Sequence, residues 1–270
     1  TILMNIRSDD PQKISWSRGL YNQFCKQEQI KDDGKRIIVM RRPFCKEICY
    51  YQRKIIECPS KWESLFPENN RENMVMCVSG APLSKPFSVL MTDCTQDLNL
   101  LQHSQCFPLY VYEKEEMKES AQLTFDNASL NKYRKVYGTH VSKEDIFYYI
   151  YAIFHSRHYI SAYEANLAKD MPRIPMLANF PEYVRIGREL ADLHLRYEKP
   201  VSAEELGVTV EMRKEDYTVV DKMRFGKGKD KSIIEYSPYI TIRNIPTKAY
   251  DYIVNGKSAI EWIVEQYAVT

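Results

Sequence analysis

Ser142-Lys-Glu-Asp-Ile-Phe-Tyr-Tyr-Ile-Tyr-Ala-Ile-Phe154 is the stretch on which the fold turns. Ser142 followed by Asp145 resembles a capping box, with Asp in the position usually held by Glu or Gln. Ile146, Tyr149, Ile150, Ile153 and Phe154 then recur at helical spacing. The apolar run ends at Phe154, half the ~18 residues that a membrane span requires, so it predicts a core helix. Outward from it, the helical pattern covers about residues 127–198. A second helix is predicted over Tyr159–Lys169 and a third over Tyr183–Tyr197, with Ile186, Leu190, Leu193 and Leu195 inward. Met171-Pro-Arg-Ile-Pro175 separates these two, because each proline biases its predecessor away from helix.

Short β-branched or aromatic runs flank this centre. Before it lie Ile37–Met40, Ile48–Tyr51, Met74–Val78 and Phe87–Met91, punctuated by Gly34, Pro43, Pro59, Pro82 and Pro86. After Pro200 come Val208–Met212, Tyr217–Val220, Ile233–Tyr236 and Tyr239–Ile245, with a basic tip at Lys222–Lys231. Ser258-Ala-Ile-Glu261 is a full capping-box match that opens a helix through Tyr267. The order β, α, β predicts an α+β fold, with a mixed, mostly antiparallel sheet built from both ends of the chain and a helical insertion in the middle. The corresponding parts are 1–120 (β-rich), 121–199 (helical) and 200–270 (completing strands and a last helix), with the charged stretch 113–120 as a solvated connector.

The 270 residues are 44% hydrophobic and 27% charged, enough for one large or two modest domains. Lys+Arg 38 against Asp+Glu 36 leaves +2, which excludes a histone-like protein and an acidic tail. Attraction for polyanions must therefore come from local patches. Gly 9 in 270 residues is about half the usual ~7% and argues against phosphate-cradling folds. The 20 tyrosines suit half-wet recognition faces, and strand faces as well. Cysteines at 25, 45, 49, 58, 77, 94 and 106 form no Cys-x-x-Cys pair and read as reduced thiols of a cytoplasmic chain. No signal peptide opens the sequence. It begins at Thr1 and stops at Thr270 just after a helix-like stretch, as a piece cut from a longer polypeptide would.

The common catalytic motifs are missing from the sequence. Gly256-Lys257-Ser258 ends like a Walker A loop, but the first glycine of that motif would fall on Asp251, a carboxylate where amides should cradle phosphate. Gly226-Lys-Gly-Lys229 reads as a flexible basic turn. There is no Gly-x-Ser-x-Gly, no His-Glu-x-x-His and no Asn/Asp-Pro-Pro-Tyr/Phe. His155-x-x-His158 lacks acidic or thiol partners and reads as a satisfied pair at a helix end. Glu116-x-Lys118, a fragment of a nuclease motif, sits in the charged connector. Two basic segments remain. Residues 31–61 carry nine cations against four acids, interleaved with Tyr50, Tyr51 and Gln52; residues 221–231 carry five against two. Ordinary solvated faces are the commoner fate of such runs, yet cations for phosphates mixed with planar and amide side chains for base edges are what nucleic-acid recognition requires.

Longer strings narrow the choice. Arg42-Pro-Phe44, Ile48-Cys-Tyr-Tyr51, Phe87-Ser-Val-Leu-Met-Thr-Asp93, Gln105-Cys-Phe-Pro-Leu-Tyr110, Ile146-Phe-Tyr-Tyr-Ile-Tyr151 with His155-Ser-x-x-Tyr159, Pro172-Arg-Ile-Pro175, Gly187-x-x-Leu-Ala-Asp-Leu-His194 and Asn255-Gly-Lys-Ser-Ala-Ile-Glu-Trp262 follow in order. Over nearly the whole chain they resemble the C-terminal specificity region of type ISP restriction–modification enzymes and related adenine methyltransferase–endonuclease fusions. Where that pattern has an acidic residue after Arg-Pro-Phe, this chain has Cys45.

The resemblance implies a target-recognition module for double-stranded DNA, with methyltransferase and other domains in cis and no membrane. It implies no catalytic residue, metal or cofactor on this chain; S-adenosylmethionine, ATP and Mg would serve the parent. The candidate DNA-binding residues are Arg41, Arg42, Lys46, Tyr50, Arg53, Lys54, Gln102, His103, Gln105, Arg224, Lys227, Lys229 and Lys231. Arg41 and Arg42 are the sharpest candidates, placed before a Pro43 that should turn the chain outward. Gln102–Gln105 forms a polar run before a buried-looking Phe-Pro-Leu-Tyr strand. The helical segment would pack as scaffold. A protein-interaction module and an independent nuclease with an atypical motif are the alternatives.

Overall fold

A computed structural model describes residues 18–29, 31–56, 62–67, 72–114, 119–214 and 218–268. Glu57, Cys58, Pro59, Lys61, Glu116, Lys118 and Tyr217 lie outside the described residues. Helix α1 (Arg18–Cys25) precedes the β1 (Lys35–Arg42) and β2 (Cys45–Tyr51) hairpin, followed by α2 (Trp62–Leu65). Strands β3 (Val75–Val78), β4 (Val89–Thr92), β5 (Thr95–Gln96), β6 (Gln105–Pro108), β7 (Tyr110–Lys114) and β8 (Glu119–Leu123) lead into four helices. These are α3 (Asn127–Tyr137), α4 (Lys143–His155), α5 (Arg157–Leu167) and α6 (Phe180–Leu195). Then come α7 (Ala203–Leu206), β9 (Thr209–Met212), β10 (Arg224–Gly226), β11 (Asp230–Ser237) and β12 (Ile240–Arg243). The chain ends with β13 (Ile253–Val254), β14 (Lys257–Ser258) and α8 (Ala259–Tyr267).

The strands pair as β4-β3-β6, β2-β1-β5, β10-β11-β12-β9, β7-β8 and β13-β14. All these pairings are antiparallel except β1 with β5. The α+β class therefore holds, but the two ends do not complete one sheet: no described sheet mixes strands from before α3 and after α6. Local hairpins satisfy the backbone groups of each end separately. The ends join through side chains instead. Val254 shares a core with Met40, Phe44, Val75 and Leu90, Asn255 donates its N–H to Ser88 Oγ at 2.8 Å, and the Cys45 thiol faces the Trp262 carbonyl at 3.7 Å.

Three smaller expectations are corrected. The charged connector contributes the limbs of the β7–β8 hairpin, with Lys114 opposite Glu119. Residues 218–220 carry no strand. Leu193 is 67% exposed; the inward stripe of α6 is Phe180, Val184, Gly187, Ala191 and His194. That stripe keeps the three- and four-residue spacing of one helix face, and Leu193 falls off it.

Helix α4 forms where the sequence placed it. Ser142 Oγ accepts from Asp145 N–H at 3.0 Å and the Asp145 carboxylate accepts from Ser142 N–H at 3.0 Å, so the box is reciprocal. Every residue from Ile146 to Phe154 is buried. Strands β3 and β4 supply Met76, Val78, Val89 and Met91 to the surrounding core, and α6 packs directly along α4. Gly187 permits that approach: a Cβ there would stand 2.0 Å from the Tyr148 carbonyl oxygen. The tyrosines around α4 serve as internal struts. Tyr149 Oη donates to the Pro175 carbonyl at 2.8 Å and accepts from Leu177 N–H at 2.8 Å, and Tyr159 Oη donates to the Arg173 carbonyl at 2.7 Å. The proline-rich link between α5 and α6 is thereby tied to the core, where hydroxyls offset the lack of a regular ladder.

His155 finds its partner on another helix. His158 is exposed, whereas the His155 and His194 rings lie 5.2 Å apart. His155 Nδ1 donates to the Tyr151 carbonyl at 2.9 Å, which leaves Nε2 to accept from Tyr252 Oη at 3.1 Å. Tyr151 Oη donates to His194 Nδ1 at 2.5 Å. Burial pushes His155 down to about 4; burial, and then the neighbouring His155, push His194 down to about 3. Both imidazoles are neutral in the fold, while in the unfolded chain they titrate near 6.5.

Two outcomes follow from this packing. Gly187→Ala should lower the unfolding free energy by about 3 kcal/mol, the upper end for overpacking, measured by urea denaturation. Stability should be fully present above pH 6.5 and fall as the pH drops toward 4, by at most about 1.4 kcal/mol per pH unit for each histidine. A His155→Gln/His194→Gln variant, weaker at pH 7, should show a flatter profile over that window.

Candidate nucleic-acid interface

The β1–β2 hairpin carries most of the candidate residues, and its two ends differ. At the closed end Met40 pairs with Lys46 and Arg42 with Cys45, leaving Arg41 in a bulge. Phe44, with φ of 61°, lies against Tyr197 at 5.3 Å, His194 at 6.1 Å and Tyr252 at 6.3 Å between ring centroids. This aromatic anchor draws Pro43 and Cys45 inside with it. The expected outward turn at Pro43 is therefore an inward one, because burying the Phe44 ring outweighs the local preference of the proline. Cys45 takes its place in this core, and burial pushes its thiol up to about 11.

The cations near this end have carboxylate partners. Arg41 pairs with Glu47 at 2.9 Å and Arg42 with Asp97 at 3.6 Å. Lys46 reaches Glu198 at 3.2 Å and Asp93 at 3.6 Å, over the ring of Tyr197. Arg41 and Arg42 take different carboxylate partners, and the bulge at Arg41 interrupts the alternation of faces expected of adjacent strand residues. At the open end, Tyr50 Oη donates to Asp32 and accepts from Gly34 N–H at 3.0 Å. A Cβ on Gly34 would fall 2.3 Å from the Tyr50 ring, so glycine lets that ring sit against the backbone in this position. Gln52 accepts from Lys54 N–H at 2.7 Å and donates to Asp33 at 3.2 Å. Arg53 and Lys54 sit exposed in the turn that follows.

The polar run Gln102–Gln105 divides in role. Gln102 Oε1 accepts from the backbone N–H groups of Ser84 and Lys85, each at 3.0 Å, and Nε2 donates to the Pro82 carbonyl at 3.2 Å, so its amide shapes a loop. His103, at φ of 49°, and Gln105 are exposed. The expected Phe-Pro-Leu-Tyr strand divides at Leu109, a buried bend between β6 and β7, and Phe107 on the edge strand β6 is exposed. The fold also brings Lys85 beside the turn at Gly256, 3.7 Å from the Cβ position there. Sequence reading missed Lys85, because only the tertiary approach of two distant turns marks it.

The basic tip of residues 222–231 is the β10–β11 hairpin. Gly228 and Lys229 adopt φ of 75° and 65° in its turn, which holds Lys227 and Lys229 out in solvent. Neither forms an ion pair among the described residues. Arg224 and Lys231 do, with Glu235 at 2.5 Å and Glu261 at 2.7 Å. Gly256 lies in the β13–β14 turn and Lys257 opens β14; Lys257 bonds Glu265, and Ser258 caps α8 through Glu261. These side chains are engaged and form no phosphate cradle. Among the described residues no helix is long and apolar enough to cross a membrane.

Residues 4–270 match the family of the Type ISP C-terminal specificity domain. Among solved structures, the chain is similar to the ATP-dependent Type ISP restriction-modification enzyme LlaBIII bound to DNA, with 36% identity and a TM-score of 0.86 over 98% of this chain. It is also similar to a nuclease-deletion mutant of the Type ISP restriction-modification enzyme LlaGI in complex with a DNA substrate mimic, with 35% identity and a TM-score of 0.81 over 99% of the chain. A DrdV–DNA complex matches at 28% identity with a TM-score of 0.81 over 95% of the chain. The chain spans 18%, 20% and 26% of those three proteins. The curated proteins contain no match. The match along the sequence and the shared fold lead to one conclusion: the chain belongs to the family of Type ISP C-terminal specificity domains.

Proposed function

We propose that this chain recognises a specific sequence in double-stranded DNA and positions it for an N6-adenine methyltransferase domain of the same polypeptide. One observation carries the reading: a specificity domain matched from end to end in enzymes solved with DNA. Methylating an adenine amino group requires the base to leave the stack. The work of this chain is then to grip the duplex, fix its register and read base edges. Lys227 and Lys229, on a turn that projects into solvent, are suited to phosphates. Arg53, Lys54, His103, Gln105 and Lys85 offer further cationic and amide groups on exposed turns and an edge strand. S-adenosylmethionine, ATP and Mg would serve neighbouring domains, and the catalytic steps belong there.

The apolar cleft lined by Leu206, Val208, Val210, Ile234, Ile242 and Ile245 favours a second role beside the first, contact with another part of the polypeptide. Loss of DNA affinity even at low salt would leave that role alone standing.

The Lys227→Ala/Lys229→Ala variant should weaken binding about equally across sequences, with the slope of log K against log salt shallower by up to ~0.9 per lost contact. An unchanged slope would remove the β10–β11 tip from the interface. Lys231→Ala should leave that slope alone. Its effect should be a lower melting temperature above pH 4.5 that fades toward pH 2, because Lys231 and the Ser258 N–H hold Glu261 down to about 2.

A further inference from the structure

Ile38 and Ile48 stand directly opposite each other on β1 and β2, next to the Arg36–Tyr50 pair on the same face. Ile38 is 56% exposed and Ile48 76% exposed, while Met40, one step further along that face, is 1% exposed. The outward face of a surface strand ordinarily carries polar residues. Here two β-branched apolar side chains form a contiguous exposed patch, the kind that marks a contact surface.

The backbone around the patch is a two-stranded ribbon. Strand β5 pairs with β1 only at Val39 and Met40, so residues 35–38 and 48–51 extend beyond it. A ribbon of two strands fits the major groove of B-DNA, about 12 Å wide. The rim is cationic: Lys31, Arg36, Arg53 and Lys54 outnumber Asp32 and Asp33. Both of those acids are hydrogen-bonded to the ribbon's own Tyr50 and Gln52. The open end is held in shape by the Asp32–Tyr50–Gly34 contacts, which lowers the ordering cost of binding. An apolar centre in a cationic rim complements DNA, whose major groove offers one apolar group, the thymine C5-methyl, between two rows of phosphates.

We infer that Ile38 and Ile48 read thymine C5-methyl groups in the major groove, with Arg36 beside them to meet a neighbouring guanine or phosphate. This rests on the DNA-recognition reading above and names a surface within it. It moves base reading from Arg41 and Arg42, at the buried end of the hairpin, to the opposite end of the same strands.

The test uses the full-length polypeptide that carries this chain. Selection from a random duplex library yields the preferred site, and each thymine in it is then replaced singly by deoxyuridine, which removes only the methyl. The wild type should lose about fourfold in affinity at one or two thymines, the value of one buried methyl-sized group. Ile38→Ala/Ile48→Ala should abolish that penalty and relax preference at the same positions, with the melting temperature unchanged. Should the double variant melt early, Ile48→Ala by itself supports the same comparison, since its side chain is the more exposed. A wild type indifferent to every deoxyuridine, or a variant that keeps the full penalty, overturns the inference and leaves DNA recognition intact. Reduced activity with unchanged deoxyuridine penalties also overturns it, by placing the patch against another domain. Absence of any preferred site in the selection would overturn the recognition reading and this inference together.

Discussion

Helix α4 is apolar on every side, and a helix of that kind exists in water only when every side is covered. The rest of the chain is arranged to cover it. Strands β3 and β4 face it with Met76, Val78, Val89 and Met91, α6 lies along it through Gly187, and the proline-rich link closes over it through tyrosine hydroxyls. Alternate residues of the same strands, Val75, Cys77 and Leu90, point to the opposite core. One short sheet thus serves two hydrophobic layers, as period-two alternation allows.

The second layer links this core to the candidate interface. His194 from the end of α6, Tyr197 just beyond it and Tyr252 from the C-terminal segment surround Phe44 at the closed end of the β1–β2 hairpin, and Tyr151 from α4 bonds His194. The hairpin is therefore anchored at one end and projects at the other. Neutral imidazoles suit that anchor, since a charge among these rings would have no counter-ion beside it. The position of the projecting end is thereby coupled to the packing of α4 against α6.

Cations divide along the same line. Arg41, Arg42 and Lys46, near the anchor, are paired with Glu47, Asp97, Glu198 and Asp93. Lys227 and Lys229, on a projecting turn with left-handed backbone at Gly228 and Lys229, form no ion pair among the described residues. Charge density along the sequence does not separate these two groups. Partner geometry does.

Secondary structure and much of the core followed from local chemistry. The two capping boxes, the helical spacing of Ile146–Phe154 and the β-branched runs each act over a few residues, so they are legible wherever they occur. The long composite strings likewise carried the family. Long-range choices were not legible. Whether Pro43 turned outward depended on a ring pocket supplied by residues 194, 197 and 252. Whether Leu193 or His194 faced inward depended on a hydroxyl from α4. That the two ends form separate sheets, that Gln102 holds a loop and that Lys85 meets Gly256 are likewise outcomes of packing between distant segments. The sequence by itself determined which segments become helices and strands, because propensity, capping and periodicity are local. Only the tertiary structure decided which cations keep a carboxylate and which apolar residues stay exposed, because burial and ion pairing depend on neighbours that chain order does not reveal.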